Sequence, residues 1–433
     1  MNKKTERNYL MTKLIRFPKT LEEFFKPIES CFNKCAFVHF KSFCILMAAS
    51  CEHNTVNKIV SLITFGAHRT NCNEFLLSDS WKEETVLKTL ANRRLKRFYE
   101  KVSKKKNVAF AILDDSKKKK VGKKTVEGAG KIFDPAFKKY VHGHQILTLT
   151  IYYQGQTTPY GIKLYLKKSV AKKLNQPFKK LSELAVELIN EISLPFDVPV
   201  YVLTDSFYVN KTVIAASRAR GFHFIGALKT NRTFLVKGQK TNVKSYVKNA
   251  FRRKQKSEMS IQTKNGIATY GFFSMIAHIS KIGKSQITFS RKNSRKKVLA
   301  LVCTDISLNP EDIIRFYSFR WSIEVWFKQL KQHLSFGAMH RRVLRGVITH
   351  LHLSACAYML LTHLHDSSEK GKRKNNAAMF SMTSLQNQLK TILFQDIFDA
   401  FIEKFRILPV AVQAIEKMKN VIFDEKKVCQ LTM

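Results

Sequence analysis

Two stretches of this chain, VAFAILDDS (108–116) and VPVYVLTDS (198–206), are apolar without a break and then stop on an acid. A strand with one wet face alternates apolar and polar residues, whereas a run that is apolar on both faces belongs to a central strand covered on both sides. These two runs therefore require an α/β architecture, with helices packed over a sheet whose interior strands end in carboxylates. The segments around them agree. HQILTLTIYYQG (144–155) and YGIKLYLKK (160–168) read as two strands joined by a short turn, LSELAVELINEI (181–192) as an amphipathic helix, NKTVIAASRARG (210–221) as a helix closed by glycine, and FHFIGAL (222–228) as a fifth strand.

Three strands, a helix, a strand, a helix, a strand and a later helix is the element order of a ribonuclease-H-like fold. The predicted organisation has five parts. Residues 1–105 form a helical N-terminal region, 106–229 the first part of the α/β core and 230–297 a β-rich basic insertion. Residues 298–345 form the second part of the core, opening on the strand VLALVCTD (298–305), and 346–433 a helical C-terminal region broken by SSEKGKRKNNAA. NPEDIIRFYSFRWSIEVWFKQLKQHL (309–334) reads as one long helix, with Asn309 as N-cap, Pro310 in the first turn and two acids after it.

Charge limits the partners. Lys plus Arg total 76 against 32 Asp plus Glu, a formal net charge of +44. A chain so basic repels itself unless a polyanion neutralises it, so nucleic acid is the expected partner and the basic N-terminal helices suit DNA docking. Each acid becomes informative because acids are scarce. The eight Cys form no CxxC pair, and with His39, His53 and His68 nearby they fit no standard zinc spacing. No apolar leader opens the chain and THLHLSACAYMLLTHLH is punctuated by histidines, so no membrane is expected and a cytoplasmic, nucleoid-associated protein is.

In a sheet of this order the first and fourth strands are neighbours, which brings Asp114 and Asp115 toward Asp205. Like charges that close need a cation, and hard oxygen donors without Cys or His point to Mg²⁺, with Mn²⁺ as a substitute. On the long helix, Tyr317, Arg320, Glu324 and Lys331 fall on one polar stripe among large apolar residues. Glu324 would complete a metal site, and Arg320 and Lys331 would hold phosphates. Spacing alone leaves an ordinary solvated stripe equally open, since Arg320 and Glu324 are an i, i+4 pair. Two metal ions about 4 Å apart would activate water or a 3′-hydroxyl and stabilise the leaving oxygen. Lys104 to Lys106 and Lys117 to Lys120 flank the first strand; Lys117, Lys118 and, in the following loop, Lys123 are candidate phosphate contacts. His142, His144 and Gln145 are read as hydrogen bonders, Asp305 as a turn residue, and Trp321 and Trp326 as core.

YSFRWSIEVWFKQLK resembles the Tyr-x2-Arg-x3-Glu-x6-Lys signature of insertion-sequence transposases of the DDE superfamily, and ILDDS with EGAGKIFDPAFKKYVHGHQ, and YVLTDSFYVNK with GFHFIGALKTNR, are similar to other blocks of that family. The resemblance covers roughly residues 108 to 345. It implies a ribonuclease-H-like core interrupted by a β-rich insertion. It also implies Mg²⁺-dependent hydrolysis of double-stranded DNA at the transposon's terminal inverted repeats, strand transfer into target DNA, and a homodimeric synaptic complex. Asp205 and Glu324 become the second and third metal carboxylates, and family spacing favours Asp114 over Asp115 as the first, with Ser116 in the hydroxyl position. Alternatives are a derived DNA-binding protein that no longer cuts, or another ribonuclease-H-like nuclease; the long stretch between Asp205 and Glu324 disfavours the latter.

Overall fold

A computed structural model describes residues 14, 16–50, 56–63, 68–101, 107–120, 126–134, 138–236, 238–253, 256–263, 266–292, 297–338, 343–367, 381–405 and 413. In chain order, short helical turns at Lys19–Leu21, Glu22–Phe25 and Lys26–Cys31 precede helices α1 (Lys34–Ala49), α2 (Val56–Leu62), α3 (Arg69–Leu77) and α4 (Glu83–Glu100). Strands β1 (Ala109–Lys119), β2 (Gly130–Asp134), β3 (Lys139–Tyr153) and β4 (Gln156–Tyr165) follow, then a short helix (Lys168–Lys173), α5 (Leu181–Asn190), β5 (Val200–Thr204), α6 (Lys211–Ala219) and β6 (His223–Ala227). Next are β7 (Thr233–Val236), β8 (Gln239–Asn242), α7 (Val243–Arg253), β9 (Ser257–Thr263), β10 (Gly266–Ile279), β11 (Gly283–Lys292) and β12 (Leu299–Cys303). Helices α8 (Pro310–Ser318), α9 (Trp321–His333), α10 (Leu344–Ser367) and α11 (Met382–Phe405) complete the described elements.

The chain divides into two compact units, Met1–Glu83 with Leu330–Met339 and Thr349–Met433, and Glu84–Gln329 with His340–Ile348. The first is helical. Asn33 caps α1 by accepting from the Ala36 amide at 2.8 Å, and the buried faces carry a ring cluster in which Trp81 stacks on Phe32 and Phe75. Gln386, fully buried on α11, donates to the carbonyl oxygens of Ala48 and Ser50, which satisfies the end of α1. Cys72 Sγ lies 3.8 Å from His39 Nδ1, and His68 caps α3 by accepting from Thr70; Cys51 and His53 lie outside the described residues. Helix α10 is the one described helix long and apolar enough to cross a membrane, which the scattered histidines had argued against. Its apolar stretch is 94% buried within the fold, as in a core helix.

The second unit is a mixed α/β body around one large sheet, ordered β2-β3-β1-β5-β6-β12-β11-β10-β7-β8, with β4 on β3 and β9 on β10. Strand β1 runs antiparallel to β3 and parallel to β5, which is parallel to β6. One face is sealed by α5 and α6 through Leu184, Leu188, Val213 and Ile214, packed against Ala111, Leu113, Leu149 and Val202. Helix α5 approaches β4 so closely that a Cβ on Gly161 would stand 2.6 Å from Leu188 Cδ2. Gly161→Ala is accordingly expected to lower stability by about 1–3 kcal/mol through overpacking, read as a fall in the urea midpoint at unchanged slope.

Three elements differ from expectation. Strand β2 lies within the stretch after the first strand that reads as a basic, Gly-containing loop. The segment 230–297 holds a helix, α7, among its strands: Val243, Tyr246, Val247 and Ala250 recur at helical spacing and pack on the core. The stretch 309–334 is two helices instead of one. Phe319 and Arg320 donate their amides to Phe316 and Tyr317, the tighter i to i−3 pattern, and the axis restarts at Trp321. Pro310 begins α8 as expected, while the Asn309 side chain makes no cap bond.

Candidate active site

In-register parallel pairing sets the site. Leu113 on β1 lies opposite Thr204 on β5, so the next residues, Asp114 and Asp205, emerge side by side at the carboxyl ends of adjacent strands. Alternation along β1 then separates the two neighbouring acids. Asp114 shares its face with Phe110 and Ile112, whereas Asp115 shares the opposite face with Ala111 and Leu113. Across β3, β1 and β5 the residues Tyr152, Phe110 and Tyr201 form one row. Phe316 and Phe319 at the end of α8 seat on that row, with ring centroids 4.8 and 5.0 Å from Phe110 and 5.0 Å between Tyr152 and Phe319. The aromatic seat delivers Arg320, the next residue, to the Asp114 face.

Arg320 bridges two acids. One guanidinium nitrogen donates to Asp114 Oδ2 at 3.2 Å and another to Glu324 Oε1 at 2.6 Å. Arg320 also lies 5.8 Å from the Tyr317 ring centroid. Burial, then Asp205, pushes the Asp114 carboxyl up to about 7 against the pull of Arg320. Burial raises Asp205 too, opposed by the Phe207 amide, which donates to Asp205 Oδ1 at 2.9 Å. Asp115 is held differently: Tyr208 donates to Oδ1 at 2.8 Å and Gln145 to Oδ2 at 2.7 Å. Burial and the surrounding carboxylates push the Tyr208 phenol up, so it stays a donor.

Among the described residues no three His, Cys, Asp or Glu side chains stand close enough together to hold a metal ion, and the Arg320 guanidinium bridges two of the candidate ligands. The chemistry of the set nonetheless fits a hard divalent cation: its donors are carboxylate oxygens, and Asp114 is held near neutrality by burial and by a like charge, which a dication would reverse.

Of the other predicted residues, Lys117 and Lys118 lie in β1 beyond the acids, half-buried. Lys123 and Lys104 to Lys106 lie outside the described residues. Lys120 is buried, and burial brings its ammonium down to about 8. Lys331 lies further along α9, in the other unit. His144 Nε2 donates to the Glu127 carbonyl, and burial lowers its ring to about 4, so it stays neutral. Asp305 closes a turn, accepting from Ser307 and from the Tyr201 hydroxyl at 2.6 Å. Trp326 is fully buried, but Trp321, read as core, is 62% exposed because it sits at the restart of the helix beside Arg320. Tyr208 escaped the sequence reading; its only signal is a tyrosine three residues past the strand-ending Asp205.

A family model described as DDE superfamily endonuclease matches residues 28–263, more than half of the chain, and a second, described as transposase DDE domain, matches 181–360. The chain belongs to the DDE superfamily. Membership makes it a nuclease of the transposase kind that acts on DNA, in a family whose enzymes generally use divalent metal ions. A comparison with curated proteins finds none that matches. The two DDE matches together take in β1, β5 and α9, the elements that bear Asp114, Asp205 and Glu324.

Proposed function

We propose that this DDE protein is a cut-and-paste DNA transposase, which cleaves double-stranded DNA at the terminal inverted repeats of its element and joins the ends to target DNA as a homodimer in a synaptic complex. The observation that carries the reading is the Arg320 bridge, which ties Glu324 of α9 to Asp114 of β1 beside Asp205. In this reading Asp114, Asp205 and Glu324 hold the metal. Mg²⁺, or Mn²⁺ in its place, supplies Lewis-acid activation of the scissile phosphate and of water or a 3′-hydroxyl when bound. Arg320, freed from its carboxylates, takes a phosphate oxygen, with Tyr317 packed against it and Lys331, Lys117, Lys118 and Lys123 as further phosphate contacts. Asp115, fixed by Tyr208 and Gln145, sets the end of β1 without itself being a ligand.

The strand order β4-β3-β1-β5-β6 supports a ribonuclease-H-like core at 106–229 and 298–345. Within the proposed organisation, 230–297 is the insertion, and 1–105 and 346–433 are helical flanks, the former docking DNA. A net charge of +44 supports the DNA partner and a cytoplasmic, nucleoid-associated place of action.

The test is nicking of a DNA fragment bearing the element's ends, in Mg²⁺ and in chelator, by wild type, Asp205→Asn and Glu324→Gln. Cleavage should require Mg²⁺ and both acids, while binding survives in both variants. Equal cleavage by all three proteins sinks the site.

A further inference from the structure

Strand β3 is longer than the core needs. Its later half pairs with β1, while its first residues, from Lys139, pair with β2 to make a hairpin that runs on beyond the carboxylates. Asp115 lies opposite Leu147, and Tyr140 is seven residues upstream on the same strand, so at about 3.3 Å per residue the hairpin reaches roughly 23 Å past the acids. Its inner face is ordinary: Ile132 and Val141, paired with each other, are buried. The outer face should be polar by alternation. It instead presents Phe133 and Tyr140, directly opposite each other, 45% and 61% exposed, with ring centroids 5.5 Å apart at 71°. Lys131 Nζ stands 5.1 Å from the Tyr140 ring centroid, and Lys138 and Lys139 are exposed at the turn.

We propose that this hairpin is a stacking platform for unpaired bases of the DNA substrate. Two large rings left in water at opposed strand positions are costly unless a ligand covers them. Lysines around the rings select a polyanion. An aromatic platform within a basic surface is the chemistry that holds single-stranded nucleic acid, since every base has a face to stack and every nucleotide a phosphate. Bases of an intact duplex are already stacked on one another, so the platform gains only where the strands have parted. Strand β3 also carries Gln145, which holds Asp115, so one continuous strand links the platform to the end of β1. The proposal rests on the reading of DNA as substrate, but not on which residues cut it.

The full chain, in chelator to prevent cutting, is titrated against two labelled probes of equal length, a fully paired duplex and one with a short thymine gap. Phe133→Ala/Tyr140→Ala is expected to lose affinity for the gapped probe by roughly 5- to 150-fold per base stacked, and no more than about twofold for the paired one. Phe133→Tyr/Tyr140→Phe, which keeps both rings, should bind both as wild type does. Both side chains are exposed, so truncation spares the core, and an unchanged melting temperature verifies it. Equal losses on the two probes, or no loss on either, overturn the proposal. So does a change in oligomeric state at unchanged DNA affinity, which would make the rings a contact between copies. Failure of wild type to bind either probe overturns this proposal and the DNA reading together. A gap-selective loss in a protein that does not nick DNA in Mg²⁺ supports the platform and sinks only the catalytic reading.

Discussion

Asp114→Asn is expected to slow Mg²⁺-dependent nicking by about 10³-fold or more, and Asp115→Asn by only about 10- to 100-fold, with DNA binding retained in both. The larger figure follows from losing a metal-binding oxygen where Lewis-acid stabilisation is worth several kcal/mol, each ~1.4 kcal/mol being tenfold in rate. The smaller is the usual effect of removing a group that orients a ligand without touching the metal. Neighbours in sequence differ this much because a strand turns successive side chains to opposite faces. Asp114 faces α8 and α9, where Arg320 and Glu324 stand, and its carboxyl is buried beside Asp205. Both oxygens of Asp115 are already taken, by Tyr208 and Gln145. Asn at 115 can still accept from Tyr208, and Gln145 must turn its amide over to accept from the new side-chain NH2, so the end of β1 is perturbed without losing a ligand. Single-turnover nicking of a fragment with the element's ends separates the two. If Asp115→Asn proves the slower enzyme, the two acids exchange roles.

The sheet was legible because burial leaves a mark in single segments. Both apolar runs ending in acid are adjacent central strands, and α5 and α6 fall where amphipathic spacing puts them. What could not be read depends on meetings between segments. Periodicity over 309–334 is continuous, yet the helix breaks at Phe319–Arg320, where the two phenylalanines settle on a row of rings contributed by three strands. The break in turn explains why Trp321 is exposed and Trp326 buried, although both look like core residues on an unbroken helix. Tyr208 and Gln145 show the same limit. Neither carries a local pattern, and their common partner, Asp115, is distant from both in sequence. Lysine runs mislead in the opposite direction, since Lys120 ends such a run and is buried.

Without metal, wild type should lose stability relative to Asp114→Asn as pH rises from about 4 to 7, and Asp114→Asn should be the more stable form at pH 8. The Asp114 carboxyl titrates near 7 in the folded chain, because burial and then Asp205 oppose its ionisation, against an ordinary value of 3.8. Between those values the folded state holds a proton that the unfolded chain has released, so unfolding is favoured by each rise in pH. Below 3.8 both states are protonated and nothing is lost. Above 7 both are ionised and the full difference, on the order of 4 kcal/mol, is lost from the fold. Asp205 is shifted in the same direction and the buried His144 ring, lowered to about 4, in the opposing sense, so the comparison of the two proteins isolates Asp114. Asn at 114 has no charge to bury, so its melting temperature in chelator should match wild type near pH 4 and exceed it at pH 8. Mg²⁺ should reverse the order for wild type alone, by giving the ionised pair a counter-charge. Melting curves from pH 4 to 8, with chelator and with Mg²⁺, test both signs. A metal-free wild type as stable as Asp114→Asn at pH 8 means that ionised Asp114 is already satisfied by Arg320. The acids would then be a settled ion pair instead of a site held in readiness for a cation.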